Sequence, residues 1–406
     1  MKKLLQISLG VVTSVGGFLE MGSMSTSAQA GAGFGYRLGW ALVLGTLCIA
    51  FLAEMAGRFA AVSGHTIADG MRDRFGFKLF LWPLTATLLV NLLVLVAEIG
   101  GVCIALELAT SISYRWWALP VAALAWLLLW KGTFGLIEKG VSLLGLVTCC
   151  FIVAALFARP DWHAVAAGLV PRQPPHDPAN YWFIAVSMLG ASITPSLFLF
   201  YSSGAIEDKW DRRMLGANRA ISAFGMGFGG TIALAVLIVA GAVLMPQGVQ
   251  QVEDYNQLPL LLVPTLGTAG FVLLVLSLAI ASFGATLEIA LQQAYMLAQA
   301  FGWRWSEDAK PRDNAGFSLT YTVSLLLAAL PIVCGADPLK VTIVSMALTA
   351  VSLPFSVFPF LVLMNDTSYV GKHANGIVAN LSVILIVSLS FVLAVVTLPL
   401  EILGGS

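Results

Sequence analysis

Charge is what this sequence has least of. Only 10% of its 406 residues are Asp, Glu, Lys or Arg, while 59% are hydrophobic and the mean hydropathy is +0.90. Such a chain has too little polar surface to cover a water-soluble body, which implies an integral membrane protein. Histidine and cysteine are scarce as well. His65, His163, His176 and His373 fall in or near expected loops, so no His pair is placed to bind a metal inside the bilayer. Cys48, Cys103, Cys149, Cys150 and Cys334 sit in apolar runs with neither metal spacing nor a disulfide framework. Missing too are a nucleic-acid signature, a glycine-rich nucleotide loop, a nucleophile elbow and a paired acid and base within the apolar runs. The expectation is a chain that is not an enzyme, uses no cofactor and binds no nucleic acid.

What is present is one apolar stretch after another. Crossing about 30 Å of hydrocarbon at 1.5 Å per residue takes roughly 20 residues. Eleven stretches qualify, at 6–28, 37–63, 78–110, 115–131, 137–157, 180–203, 217–245, 260–301, 316–334, 339–364 and 374–400. The third and eighth are long enough to require tilt or extension beyond the bilayer. No segment is left for a soluble domain, so 1–406 reads as one membrane domain whose main partner is lipid. With the N-terminus cytoplasmic, sixteen of the 21 Lys and Arg fall on the inner side, and only Arg37, Arg115, Arg159, Arg172 and Lys340 on the outer. That asymmetry obeys the positive-inside rule, supports the odd count and puts the C-terminus outside, in a plasma or cell inner membrane. Lys2, Lys3, the following apolar run and Ala28-Gln29-Ala30 imitate a cleaved leader, but Glu20 and the polar run after it argue against processing there.

The first span holds Val15 to Tyr36, in which Glu20 and several hydroxyls interrupt the apolar run. An ionisable group at that depth costs at least ~2.5 to 3.5 kcal/mol on insertion scales, so something must offset it. A helix broken at Glu20-Met21-Gly22-Ser23 would expose carbonyls beside a carboxylate and a hydroxyl, and these could hold a cation. The bland alternative is a glycine-rich packing face with a protonated Glu bonded to a neighbouring helix. The sixth span contains Gly190, Ser192, Thr194, Pro195 and Ser196. Pro195 removes a backbone donor and clashes with the preceding turn, which predicts a break near Ala191 to Pro195. Spans one and six begin two five-span sets, 1–157 and 180–364, and an odd number of spans inverts the second set relative to the first; 374–400 is additional. Matching interruptions in two inverted halves point to a transporter's midplane site.

With those motifs in view, the chain resembles the natural resistance-associated macrophage proteins (NRAMP), metal transporters of the LeuT-type 5+5 inverted-repeat fold, usually monomeric. The resemblance runs from about Gly16 to the last span. It rests on Gln29-Ala30-Gly31-Ala32 with Gly35-Tyr36, Ala97-Glu98-Ile99-Gly100, Met188-Leu189-Gly190-Ala191 with Pro195 and Ser202-Ser203, and Leu353-Pro354-Phe355 with Pro359. It implies an all-α membrane protein with eleven helices, the first and sixth broken, and a metal held by Glu20, Ser23, the Ala191 carbonyl and Thr194, with Ser352 at a polar position near the ion.

Several positions depart from the family pattern. The family's D-P-G-N is here Glu20, Met21, Gly22 and Ser23, and its A-x-x-M-P-H is Ala191-Ser192-Ile193-Thr194-Pro195-Ser196. A thioether ligand is thus replaced by a hydroxyl, while Met21 occupies the Pro position, whose side chain is not a ligand. Carboxylate, hydroxyl, carbonyl and water favour hard ions such as Mg²⁺ or Mn²⁺ over softer metals. The pattern is similar to the NRAMP-related magnesium transporters, apart from the Asp to Glu change. The positions of residues that resemble one another among proton-coupled members hold Leu95, Ser196 and Tyr201, leaving Glu98 isolated, so weak or absent proton coupling is expected. Glu54 and Arg58 are placed as an intrahelical pair, Glu107 as solvated, and Glu288, Gln292 and Gln293 as vestibule or neighbour-bonding groups. The function expected is alternating-access transport of a divalent cation. Rival readings are a carrier of a small amine or amino acid on the same fold, and a transport-inactive relative.

Overall fold

The computed structural model describes residues 20–131, 145–172, 176–252, 255–307 and 309–404. Among them every regular element is helical. Helix α1 (Met21–Phe34) is followed by α2 (Gly39–Ser63), the short α3 (Ile67–Phe75), α4 (Phe77–Thr110) and α5 (Tyr114–Trp130). Next come α6 (Cys150–Phe157), α7 (Trp162–Gly168), α8 (Pro178–Ser192) and α9 (Pro195–Glu207). The remainder is α10 (Leu215–Val243), α11 (Val263–Phe301), α12 (Ala315–Val333), α13 (Pro338–Asn365), α14 (Thr367–Val370) and α15 (Ile377–Gly404).

By length and composition, eight segments among the described residues can cross a membrane, with α8 and α9 counted together. They coincide with the second, third, sixth to tenth and last stretches expected from hydropathy. The other three expected spans differ for separate reasons. Spans 6–28 and 137–157 extend outside the described residues, and the fourth is α5, whose 17 residues reach only about 26 Å at 1.5 Å each. Residues 146–157 and α7 form a pair bent by 119°. The long eighth stretch is not simply tilted. Its helix, α11, is kinked at Gly267, where φ 63° and ψ −147° are accessible only without a side chain, and a 3₁₀ segment, Tyr255–Leu261, precedes it.

Helix α1 lies at the centre, with all 14 residues buried. It packs on α10 and α8 and also meets α13, α4 and α11. Small side chains make this possible, because in lipid helices associate through close van der Waals fit rather than through hydrophobic expulsion from water. At Gly31 a Cβ would fall 2.4 Å from the Leu237 carbonyl oxygen of α10. Large apolar side chains such as Leu79, Trp82, Trp116 and Ile377 are exposed, as expected where lipid is the solvent.

Two apolar clusters divide the interior. One is built mainly from α1, α2, α8, α10 and α13. The second is built from α4, α5, α11 and α12, and its buried members from α8 and α13 are Ala191 and Met346.

Charged residues pair across the ends of several helices. Glu54 and Arg58 pair at 2.9 Å along α2, as their spacing implies, and Arg58 also donates to Asn375 Oδ1 at 2.8 Å and to the His373 carbonyl. Asn218 of α10 donates to the Glu54 carbonyl at 2.7 Å. Arg74 pairs with Asp366 at 2.9 Å, joining α3 to the cap of α14. Glu107, expected to be solvated, instead accepts from the Tyr114 N–H at 2.7 Å and the Tyr255 hydroxyl at 2.9 Å. The aromatic residues of the two flanking segments reach back over the end of α4, which hydropathy does not reveal.

Two stability effects are expected. Gly31→Ala drives a side chain into backbone and should cost about 1 to 3 kcal/mol, read as a lower melting temperature in detergent. Hydrogen bonds from Ser368, chiefly its side chain, together with Arg74, hold the Asp366 carboxyl below its usual range. Its contribution is therefore present above the ordinary Asp value and is lost as the pH falls through the lowered one. Asp366→Asn should melt below the parent at neutral pH, and the gap should close as the pH drops below about 3.9.

Candidate functional site

Glu20 caps α1 in an extended conformation, φ −129° and ψ 175°, and the helix begins at Met21. Its backbone N–H donates to Ser23 Oγ at 3.1 Å, while the Ser23 hydroxyl lies 3.2 Å from the Glu20 carbonyl, to which it donates, and Met24 N–H donates to the same carbonyl at 3.1 Å. Ser23 is thus drawn into the turn that starts the helix. The family-pattern Asn position has become a local helix-starting hydroxyl.

A helix that begins inside a bundle leaves its first N–H groups without helical partners. Glu98, on α4, supplies one: its Oε2 accepts the Met21 N–H at 3.1 Å. The expectation of an isolated Glu98 is therefore corrected. This carboxyl caps α1 from another helix, where the macrodipole favours negative charge. Both acids are deeply buried, Glu20 4% and Glu98 0% exposed, and each keeps one oxygen, Oε1, without a protein partner. Glu98 and Glu288 lie near enough to Glu20 to act on its charge. Ser282 of α11 has a buried, unpartnered hydroxyl beside Gly101 and near Met21 Cβ. Gln292 donates to Glu288 at 3.3 Å, and Gln293 accepts from Ser324 of α12 at 2.7 Å, so the latter is bonded to a neighbour.

The break between α8 and α9 has a different cause. Helix α8 ends at Ser192 and α9 starts at Pro195, with Ile193 at φ −116°, ψ 69° and Thr194 at φ −80°, ψ 122°. Pro195 has no N–H, so the Ala191 carbonyl four residues earlier has no helical donor. Thr194 sits at the N-cap of α9, yet its hydroxyl makes no capping bond. Ala191 is 4% and Thr194 6% exposed. The Ser192 hydroxyl is turned back to the Met188 carbonyl at 2.8 Å.

Helices α1 and α8 pack together, and α13 packs on both. The residue of α13 that touches both the start of α1 and the end of α8 is Met346. A Cβ on Gly22 would fall 2.7 Å from its sulfur, and one on Gly190 would fall 1.9 Å from its carbonyl oxygen. Ser352, selected from the sequence, lies six positions further along α13, 4% exposed, with its hydroxyl given to the Thr349 carbonyl at 2.8 Å. Sequence reasoning thus missed Glu98 as a cap and Met346 as a neighbour of the site. The first was signalled only by a Glu in an apolar span, and the second by nothing, since a Met in an apolar run looks like packing.

Chemically, the start of α1 and the break between α8 and α9 offer carboxylate oxygens, a carbonyl freed by proline and hydroxyl groups. Among the described residues no three His, Cys, Asp or Glu side chains are grouped to hold a metal. A cation here would therefore depend on backbone and hydroxyl oxygens and on retained water as well as on carboxylate, a donor set suited to hard ions.

The family described as "Natural resistance-associated macrophage protein-like" matches residues 10–399. The divalent metal cation transporter MntH of Deinococcus radiodurans is 26% identical over 364 residues, covering 86% of this chain and 79% of that one. The Eremococcus coleocola manganese transporter superposes with a TM-score of 0.79 at 21% identity, over 96% of this chain and 85% of the other. Mhp1, a nucleobase-cation-symport-1 family transporter, superposes with a TM-score of 0.59 at 15% identity, over 96% and 91% of the two chains. Likeness to carriers of such different cargo establishes the fold and leaves the cargo to the site.

The Glu98 cap makes a prediction. Glu98→Ala strands a buried donor and should cost about 1 to 3 kcal/mol of stability. It should also speed hydrogen exchange at Met21 and its neighbours, whereas Glu98→Gln, which still offers an acceptor, should leave exchange near the parent rate.

Proposed function

We propose that this chain, which belongs to the natural resistance-associated macrophage protein family, carries a divalent metal cation across a cell membrane by alternating access. Glu20 supplies the charge, with the Ala191 carbonyl, Ser23, Thr194 and Ser352 as oxygen donors or water-holding neighbours. The cargo is a hard ion such as Mg²⁺ or Mn²⁺, the class to which a site of oxygens and retained water is suited. The observation that carries the reading is the Glu20 carboxyl, 4% exposed with one oxygen unpartnered, at the start of a buried helix. A carboxylate so placed is costly unless a cation occupies the site in the working protein.

The wider architecture belongs to the same reading. Eleven helices in two inverted sets of five plus one, with the first and sixth interrupted, would let one bundle rock against the rest around a fixed midplane site. The N-terminus is cytoplasmic and the C-terminus outside, in a plasma or cell inner membrane, and the working unit is a monomer. Proton coupling is weak or absent. Leu95 and Ser196 cannot titrate, the Tyr201 hydroxyl is bonded to Asn218 Oδ1 at 3.1 Å, and Glu98 is engaged with the start of α1.

Calorimetric titration of the purified protein with Mn²⁺ and Mg²⁺, repeated on Glu20→Ala, tests the site. Glu20→Ala should weaken binding at least about tenfold, equivalent to about 1.4 kcal/mol, and abolish ion uptake into liposomes. Uptake by the parent should proceed without stoichiometric acidification of the lumen. Binding undiminished in Glu20→Ala would move the site elsewhere.

A further inference from the structure

We propose that the thioether of Met346, on α13, is a donor to the Glu20 site and tips its selectivity from Mg²⁺ toward Mn²⁺ and later transition metals. The inference rests on the reading of Glu20 as the ion site and specifies which ions it prefers.

The geometry begins with two glycines. Gly22 lies between Glu20 and Ser23 at the start of α1, and Gly190 lies next to Ala191 at the end of α8. A Cβ on Gly22 would stand 2.3 Å from Met346 Cε and 2.7 Å from its sulfur, so the thioether end of the side chain lies directly on the turn that carries Glu20. A Cβ on Gly190 would stand 1.9 Å from the Met346 carbonyl oxygen, which presses the α13 backbone on the turn that carries Ala191. Any larger residue at either glycine would displace Met346 from the junction. Met346 is fully buried, and it shares an apolar cluster with Ala191. It is therefore the point where α13 closes on both interrupted segments at once.

Sulfur at this place has a consequence for the ion. Mg²⁺ takes oxygen ligands in a strict octahedron and gives up water reluctantly, so a thioether gives it little in exchange for a lost water. Mn²⁺ accepts the same oxygens and tolerates softer neighbours, and affinity for nitrogen and sulfur rises further along the series. A flexible, polarizable side chain with three rotatable bonds can approach the ion without a backbone shift. Met21 is the obvious competitor, being next to Glu20 in sequence. Its Cβ, however, lies 3.2 Å from where a Gly101 Cβ would be, which directs the side chain to α4.

The test is calorimetric titration of the intact purified protein and of Met346→Leu, Met21→Leu and Met24→Leu with Mn²⁺, Mg²⁺ and Cd²⁺. X-ray absorption at the cadmium edge accompanies it. Leucine conserves volume while removing the sulfur, so folding should survive. Met346→Leu should weaken Mn²⁺ and Cd²⁺ about tenfold or more, leave Mg²⁺ unchanged and erase a sulfur scatterer around Cd²⁺ that Met21→Leu and Met24→Leu retain. Parallel change for all three ions, no change for any, or a sulfur signal that persists in Met346→Leu would overturn the proposal. Should Met346→Leu misfold, a parent spectrum without sulfur, or loss of the sulfur signal in Met21→Leu or Met24→Leu, overturns it as well, and a signal retained by both supports it. Failure of the underlying site is separate, because it appears as binding undiminished in Glu20→Ala whatever Met346→Leu does.

Discussion

The structure depends on how the first N–H groups of α1 are satisfied. A helix that starts within a bundle, away from water, must find acceptors for them or pay a desolvation penalty of about 1 to 3 kcal/mol each. Here one acceptor comes from another helix, the Glu98 carboxyl, and another hydrogen bond closes within the turn through Ser23. The arrangement gives Glu20 an extended backbone, and its carboxyl accepts from the Ser23 backbone N–H in a capping box while its Oε1 stays without a protein partner. Both acids thus serve the start of the helix, and each keeps one oxygen without a protein partner.

The break between α8 and α9 is built without any charge. Pro195 starts α9 and simultaneously deprives the Ala191 carbonyl of its helical donor, so one residue both ends the need for an N–H and creates a free acceptor. The two halves of the site are thus complementary. The α1 side presents carboxylates and the positive end of a helix dipole, whereas the α8 side presents a carbonyl near a helix C-terminus, where the dipole is negative. On the reading proposed above, a cation between them would be attracted by the second side and by Glu20, with Glu98 offsetting the positive end of α1.

Much of this was legible in the sequence, for a physical reason. In lipid every backbone group must be paired internally, so apolar length maps onto helices almost directly; the stretch 78–110 emerges as Phe77–Thr110. Proline is equally legible, because the loss of an N–H at 195 does not depend on what surrounds it. The Gly267 kink was not, since glycine is common in membrane helices and only its φ of 63° distinguishes it. Nor was the engagement of Glu107, which depends on Tyr114 and Tyr255 folding over it from two other segments.

The site itself divides along the same line. Glu20, Ser23, Ala191 and Thr194 stand out in the sequence because each lies at a helix start or end, and such an end is a local property of the chain. A residue that reaches such a place from an unbroken helix leaves no local trace. On α13 the polar Ser352 is the conspicuous residue in the sequence, although its hydroxyl is consumed within its own helix, while the apolar Met346 faces Gly22 and Gly190. The glycines held the clue in another form. A glycine beside a break can be there for the break or for whatever packs on it, and only the three-dimensional contact separates the two. At Gly22 the atoms that would meet an added side chain are the methyl carbon and the sulfur of Met346, 2.3 and 2.7 Å from where a Cβ would stand.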